Sequence, residues 1–584
     1  MIPALLLGAL ASAGSTAALF TPVTPGCNGL RAADLSSVSF PVDEGFALTW
    51  VASAGNASAL RAHGAAPTSY VVDLTGSLAR GTPLTWSSGD VKSAASSLTL
   101  PVALTSRFAQ GATFEWKVRL ASGTSDTAAQ WSDWATSSFD TSPSTAAWSA
   151  ASWIGGGSEL RAEFALPAGK PIVRDRAYAT GVGAFELHMN GANVGDHVFD
   201  PGEAVYDQKV LFLSFNITEQ LKPGANAVGA RLGNSKFGYL DIYTNRTALG
   251  DQSGDSSRAF KLVLVASSWC SWRRSPTALS TRSCPLLAAA PGGSAATVRS
   301  SMTISGTARS GSHAKSSRAG APSRLPLTSF PAGSPAKATT PKVGRIYPQM
   351  MPPMRKTMLY ETVSKKKKLG AASQIWDFGQ NQAGLSTLTL DLDDVFAAHD
   401  GAAPVVVMLR MKHTDIVHAN GSSYNNCFPG MEFNHASPTC SMEDWYDHKW
   451  YECANQTDGY IFEVPAAGAA DTTSASLAEY SQSFTYNGFR YIELVATQIL
   501  PGGGEGSLPS KLQAAFPWGA KLVAHEAHTD LKPLTKMALN NDGKSAMISS
   551  IFNATMASHL SKVWSIPTDC PRKITGNLPL QACL

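Results

Sequence analysis

Near one end of the sequence, Thr568-Asp569-Cys570-Pro571 sets a carboxylate, a thiol and a turn-forming proline side by side, a grouping that suits the rim of an active site. Fifteen residues follow Asp569 and none is acidic. Other chemically suggestive stretches fall short of a known site. His525-Glu526-Ala527-His528 lacks the second histidine at i+4 that an H-E-x-x-H zinc site requires. Cys427, Cys440 and Cys453 lack the close C-x(2–4)-C pairs of structural zinc, which leaves one loop-closing disulfide with a leftover thiol, or three unpaired thiols. The glycines of Gly502–Gly506 suit a domain connection better than a nucleotide loop. No metal site and no cofactor are expected.

Two groups could contact sugar. The stretch WYDHKWYEC carries Trp445, Tyr446, Trp450 and Tyr451, aromatics on which a sugar ring can stack, although a disulfide-pinned structural loop is the stronger reading. Asn234 and Asp241 in LGNSKFGYLD are weaker candidates for sugar or calcium contact. Six N-x-S/T acceptors, Asn56, Asn216, Asn245, Asn420, Asn455 and Asn553, are candidates for N-glycosylation in a secretory compartment.

The elements that would position these residues are mostly strands. Residues 30–145 contain FALTWVA, SYVVDLTG, ATFEWKVRL and WSDWATSSFDT, whose period-two alternation between turn residues predicts a small β-sandwich with Trp116 and Trp134 as core or corner residues. Residues 153–266 repeat the style, and Asn190-Gly191 in FELHMNGANVGD predicts a tight hairpin because both turn positions need positive φ. Strands return over 343–505, where the lysine run Lys365–Lys368 reads as a solvated strand connection. Beyond Leu522, Met547, Ile548, Ile551, Met556 and Leu560 recur at helical spacing, so a helical segment is expected within 521–584.

A chain of 584 residues exceeds one hydrophobic core and implies roughly three to five domains. Residues 1–20 combine an apolar run with the small residues Ala11-Ser12-Ala13, a pattern that suits a signal peptide and hence secretion. No later segment approaches the roughly 18 apolar residues of a membrane span. From Ser256 to Tyr360 there are fifteen Lys or Arg and no acidic residue, so the remainder carries 32 basic against 43 acidic residues, a net of −11. The low-complexity tract 267–342 reads as a disordered basic linker, with a nucleic-acid or anionic-surface patch as the sharper alternative and a frame-shifted segment as the preferred reading; no nucleic-acid partner is expected.

The order of these blocks resembles the bacterial-type α-L-rhamnosidases. LTWSSGDVKS, FEWKVRL and WSDWA are similar to that family's fibronectin-III-like domain; RAYATGVGAFELHMNGANVGDHVFDPG, VLFLSFNIT and GANAVGARLGN to its N-terminal sandwich; IWDFGQNQAG, LRMKHTDI, TDGYIF and FTYNGFRYIEL to its concanavalin-like domain; and HTDL followed by SIPTDCP to the entry of its (α/α)6 barrel. The resemblance implies a mainly β chain of tandem β-sandwich domains followed by the start of a helical barrel, acting on rhamnose-containing glycans or glycosides. It also implies an inverting hydrolysis in which one carboxyl protonates the leaving oxygen and another, roughly 6.5–9.5 Å away, activates water. Asp569 matches the family's first sugar-contacting aspartate, whereas the residues after Arg572 depart from its pattern, and neither the general acid nor the general base has a counterpart here.

About twelve helices of some three turns each cannot fit in the roughly 60 residues after Leu522, so the chain is expected to hold a truncated catalytic domain and to be inactive alone. The acid-free tract departs from the family as well. Ser301–Ser305, back-translated with GC-rich codons and read one nucleotide earlier, gives Asp-Asp-His-Leu, close to the family motif, and points to a frame error between Trp269 and Ile346. The competing expectation is a secreted sugar-binding protein that keeps the sandwiches without catalysis.

Overall fold

The computed structural model describes residues 20–28, 30–31, 38–54, 67–78, 82–122, 130–155, 159–166, 172, 174–233, 259–266, 297–299, 334–335, 337–370, 372–415, 417, 457–468, 477–484, 487–529, 563–564 and 566–567. They fall into two compact units, divided after Ala146.

In the first unit the alternation in Thr113–Ser122 does what a half-buried strand requires: Phe114, Trp116, Val118 and Leu120 point inward, at most 2% exposed, while Glu115, Lys117 and Arg119 point outward. That strand lies between Ala135–Ser142 and Ser69–Ser77 in one sheet, and Phe20–Cys27 with Ala47–Ala54 belong to the other. Trp50 and Tyr70, one from each sheet, meet edge to face at 5.0 Å, and Phe46, Phe108, Phe114 and Phe139 fill the interior between them. Gly76 lies against the Phe114 ring, where a Cβ would overlap it. On the outward side the Lys117 ammonium sits 4.4 Å from the Trp134 ring, and the Arg119 guanidinium 4.7 Å from both Trp131 and Trp134. At a partly exposed site each such contact contributes about 0.5–1 kcal/mol. Trp116 is a core residue as expected; Trp134 is a partly buried rung of an outward-facing ladder.

The second unit holds two further layered β regions. In the first of them, the strands Lys337–Thr339, Trp153–Gly155, Ala259–Ala266, Asp175–Val182, Lys209–Asn216 and Arg345–Pro348 form one sheet. Ala184–Met189, Gly224–Gly233 and Glu159–Leu166 form the centre of its partner. Ala177, Phe185, Leu187, Leu213, Phe260 and Leu262 are buried between them. Asn190 and Gly191 both adopt positive φ and close the hairpin between Ala184–Met189 and Ala192–Asn193, as the dipeptide predicts. The Asn190 side chain also donates to the Gln220 carbonyl and to Asn226, and accepts from the Ala227 amide.

Short pieces of the basic tract form strands. Thr297–Arg299 pairs with Glu159–Arg161, and Lys337–Thr339 pairs with Trp153–Gly155, so parts of it complete sheet edges. The rest of the tract lies largely outside the described residues.

The last sandwich is built on one long sheet in the order His197–Val198, Met354–Glu361, Lys521–Thr529, Ser373–Asp391, Asn487–Ile499, Val405–Thr414, Thr457–Val464. Trp376, Leu388, Val407, Leu409, Ile492, Leu494 and Leu522 supply its core, closed by Leu512 and Trp518 around the short helix Ser510–Ala515. Asp391 caps the helix Leu392–Ala397 by accepting from the Asp393 and Asp394 amides. The lysine run lies in a strand, Ser364–Gly370, paired with Ser373–Asp391, rather than in a connection. The expected helical segment, residues 547–560, lies outside the described residues.

Candidate functional site

After the Asn190-Gly191 hairpin the chain crosses from one sandwich of the second unit to the other. His197–Val198 pairs with Met354–Arg355 and so extends the long sheet by one strand. His197 Nδ1 lies 3.0 Å from Asp200 Oδ2, and its Nε2 lies 3.1 Å from an Arg355 nitrogen. A guanidinium only donates, so Nε2 accepts and Nδ1–H points at Asp200. Arg355 also pairs with Asp196. The His197 and Asp200 side chains are 8% and 7% exposed. Burial raises the Asp200 carboxyl above the ordinary carboxylate range, with His197 and Arg355 opposing it. Phe199, Met354, Ala383, Leu385 and Ala527 form the apolar floor beneath.

A second tie runs from Arg231 to Glu186 at 3.4 Å and to Ser483 at 3.5 Å. Burial raises Glu186, against the pull of Arg231. On the strand Lys521–Thr529, burial likewise raises Glu526, opposed by His528 and by the hydroxyl of Tyr360, which donates to it at 3.5 Å. A carboxyl held protonated is what a general acid needs. Asp200 and Glu186, however, are each held by partners at this seam, and Glu526 by Tyr360, so the arrangement joins two sandwiches more directly than it presents a proton.

Inside the last sandwich the side chains form a second constellation. Ser386 Oγ lies 3.0 Å from His413 Nε2, and His413 Nδ1 lies 3.6 Å from Asp458 Oδ2. Asn487 donates to Asp458 at 2.9 Å, and Gln482 bonds both the Ser386 hydroxyl and its amide. The types match a nucleophilic triad. The placement does not, since Ser386 and Asn487 are 0% exposed and His413 and Asp458 are 2%. A serine sealed among strands meets no substrate, and the group works as a buried polar tie that fixes four strands and their register, with the Asn487 side-chain oxygen left without a partner among the described residues.

None of the candidate sugar-contact residues can be placed: Asp569, Trp445, Trp450, Tyr446, Tyr451, Asn234 and Asp241 lie outside the described residues, as do Asn56, Asn245, Asn420, Asn455 and Asn553. Asn216 is placed, exposed at the end of Lys209–Asn216, and accepts from the Thr218 hydroxyl at 2.7 Å. His525 and His528 sit on a strand, and His528 bonds Thr357 and a backbone carbonyl. The seam residues were not singled out from the sequence, although FELHMNGANVGDHVFDPG contains Asp196, His197 and Asp200. The inward phase of VVVMLRMKHT, in which His413 follows Val407, Leu409 and Met411, is the signal that could have found the interior group.

Residues 170–259 match the family described as the α-L-rhamnosidase N-terminal domain. A 76-residue stretch is 40% identical to an α-L-rhamnosidase of Formosa agariphila, covering 13% of this chain and 8% of that protein. Among solved structures, the α-L-rhamnosidase of Dictyoglumus thermophilum superposes with a TM-score of 0.59 at 19% identity, over 95% of this chain and 54% of the other. The Streptomyces avermitilis α-L-rhamnosidase complexed with L-rhamnose gives 0.57 at 16% identity, over 95% of this chain and 61% of that one. At these identities the superpositions show a shared fold. The chain spans little more than half the length of these solved relatives.

Proposed function

For a chain that belongs to the α-L-rhamnosidase family, we propose a role in removing terminal L-rhamnose from glycans or glycosides by an inverting, two-carboxylate hydrolysis. The match over residues 170–259 carries this reading. The L-rhamnose complex of a structural relative supports the choice of sugar. In the finer reading, the last described sandwich is concanavalin-like, the first unit fibronectin-III-like, and Asp569 contacts the sugar rather than acting on it.

The 584 residues alone are read as inactive. Among the described residues, burial raises the carboxyls of Glu186, Asp200 and Glu526, and each of these three is hydrogen-bonded or ion-paired to side chains that hold the fold. Purified 584-residue protein should leave p-nitrophenyl α-L-rhamnoside intact; release of nitrophenol would overturn the inactivity. Genomic sequence that continues past Leu584 into carboxylates matching the family's general acid and general base, with hydrolysis by the extended protein, would support the enzyme. An extended protein that folds and does not hydrolyse would refute it.

That same commitment of the carboxyls supports a second reading, a secreted carbohydrate-binding protein without catalysis. Retention on a rhamnose column without hydrolysis by any extended form would favour it. Secretion itself predicts a glycan on the exposed Asn216, seen as an Asn216→Gln mobility shift in protein expressed through a eukaryotic secretory pathway.

A further inference from the structure

The outward ladder of the first unit has features that structural bracing alone does not require. Leu120 N donates to Ser132 Oγ at 3.0 Å and Ser132 N to the Leu120 carbonyl at 2.8 Å, so Trp131 and Trp134 are already pinned to the strand Thr113–Ser122 by hydrogen bonds. Arg119 is nonetheless held against both indoles, partly buried, with Nε buried and without an acceptor among the described residues. No carboxylate among the described residues lies within ion-pair distance of it, and Asp90, whose own partner is Lys92 at 2.7 Å, feels it only at longer range. Lys117, one outward position along the strand, pairs loosely with Asp73 at 3.5 Å, their side chains 43% and 28% exposed. Glu115 occupies the next outward position and is exposed, and Asp133, between Trp131 and Trp134 in sequence, is exposed as well.

We propose that the ladder Trp131–Arg119–Trp134–Lys117 is a subsite for the carboxylate of an acidic glycan. A guanidinium fixed by two aromatic rings has lost most of its rotamer freedom before any ligand arrives, and its planar fork of donors matches a carboxylate with two parallel hydrogen bonds. Lys117, roughly 7 Å farther along the strand, adds a second positive charge and exchanges its screened contact with Asp73 for the ligand at little cost. The indole edges give the sugar ring apolar surface to lie against, as sugar sites require. A neutral sugar uses only the apolar surface of the indoles, so the subsite selects uronate-bearing chains. The choice of a glycan over other polyanions rests on the glycoside-hydrolase reading, and it would direct that chemistry to rhamnose in an acidic polysaccharide.

The test is titration of the whole 584-residue protein with a short oligogalacturonate, followed by tryptophan fluorescence and calorimetry, beside a neutral oligosaccharide of the same length and an oligonucleotide of the same charge. Arg119→Lys, which keeps the cation against the rings but loses the fork, should weaken oligogalacturonate binding about tenfold, and Trp134→Ala should weaken it at least as much. The fifteen basic residues between Ser256 and Tyr360 are unchanged in both variants, so any binding they contribute cancels in the comparison. Equal affinity of Arg119→Lys and the parent protein, or equal affinity for the neutral oligosaccharide, would overturn the subsite. Equal affinity for the oligonucleotide would overturn its assignment to glycans. No hydrolysis enters the measurement, so failure here leaves the rhamnosidase reading standing, and failure to hydrolyse a rhamnoside leaves the subsite standing.

Discussion

Replacing Asp458 by Ala tests whether the Ser386–His413–Asp458 group is a structural tie or a concealed nucleophile. In the folded protein Asp458 accepts from Asn487 at 2.9 Å and faces His413 Nδ1 at 3.6 Å, with all three residues at most 2% exposed. Its loss takes an acceptor from the Asn487 amide and removes the carboxylate that faces His413, each at about 1–3 kcal/mol, so the change should cost about 2–6 kcal/mol. With a urea slope of about 2 kcal/mol/M for a domain of this size, the midpoint should fall by about 1–3 M. Trp376 and Trp518 lie in the same core and report that transition by fluorescence. Ser386→Ala should cost less, about 1–3 kcal/mol, because it removes only the hydroxyl, and Gln482 Nε2 still lies 3.4 Å from His413 Nε2. Asp458→Asn, which keeps an acceptor oxygen, should fall below Asp458→Ala. A hydrolytic role predicts the opposite pattern, with p-nitrophenyl acetate cleavage abolished in Ser386→Ala and the urea midpoint unmoved; that result would refute the structural assignment.

Gly384→Ala should destabilise the last sandwich by about 1–3 kcal/mol or more, since a Cβ there would overlap the His525 carbonyl and force Ser373–Asp391 away from Lys521–Thr529; thermal melting of the purified variant checks it. Phe199→Ala removes the aromatic floor of the seam and should cost about 3–5 kcal/mol, read as faster amide exchange in both His197–Val198 and Met354–Glu361. The seam should also weaken as pH rises. Folded Asp200 and Glu186 titrate above their unfolded values of about 3.9 and 4.3, so their contribution is complete below those values and is lost as pH rises through the raised ones. Asp200→Asn should flatten that part of the pH–stability curve, and a curve unchanged by it would remove Asp200 from the account.

Local pattern made much of this legible. Alternation in FEWKVRL separates Phe114, Trp116 and Val118 from Lys117 and Arg119, and Asn190-Gly191 specifies its hairpin through backbone sterics alone. Signals that depend on distant partners were silent. Lys209–Asn216 takes Arg345–Pro348 as a parallel neighbour, a pairing between segments far apart in sequence. The basic tract reads as featureless for the same reason: Thr297–Arg299 is too short to show a period, and Glu159–Arg161 supplies the edge it pairs with. Four consecutive lysines look like a solvated turn until Ser373–Asp391 offers them a ladder. The seam was hidden because His197, Asp200 and Arg355 come together only when two sandwiches are in register, and no spacing within either segment encodes that.

The return of the chain to Trp153–Gly155 and Lys209–Asn216 after residue 333 bears on how the molecule tolerates being cut. A single break between residues 300 and 333 would separate the polypeptide into two pieces without separating the sheets. Lys337–Thr339 and Arg345–Pro348 would remain hydrogen-bonded to strands on the other piece, and His197–Val198 would still be paired with Met354–Arg355. The two halves should therefore copurify after nicking and reassemble when expressed apart. Either half alone would carry bare strand edges and be prone to aggregate.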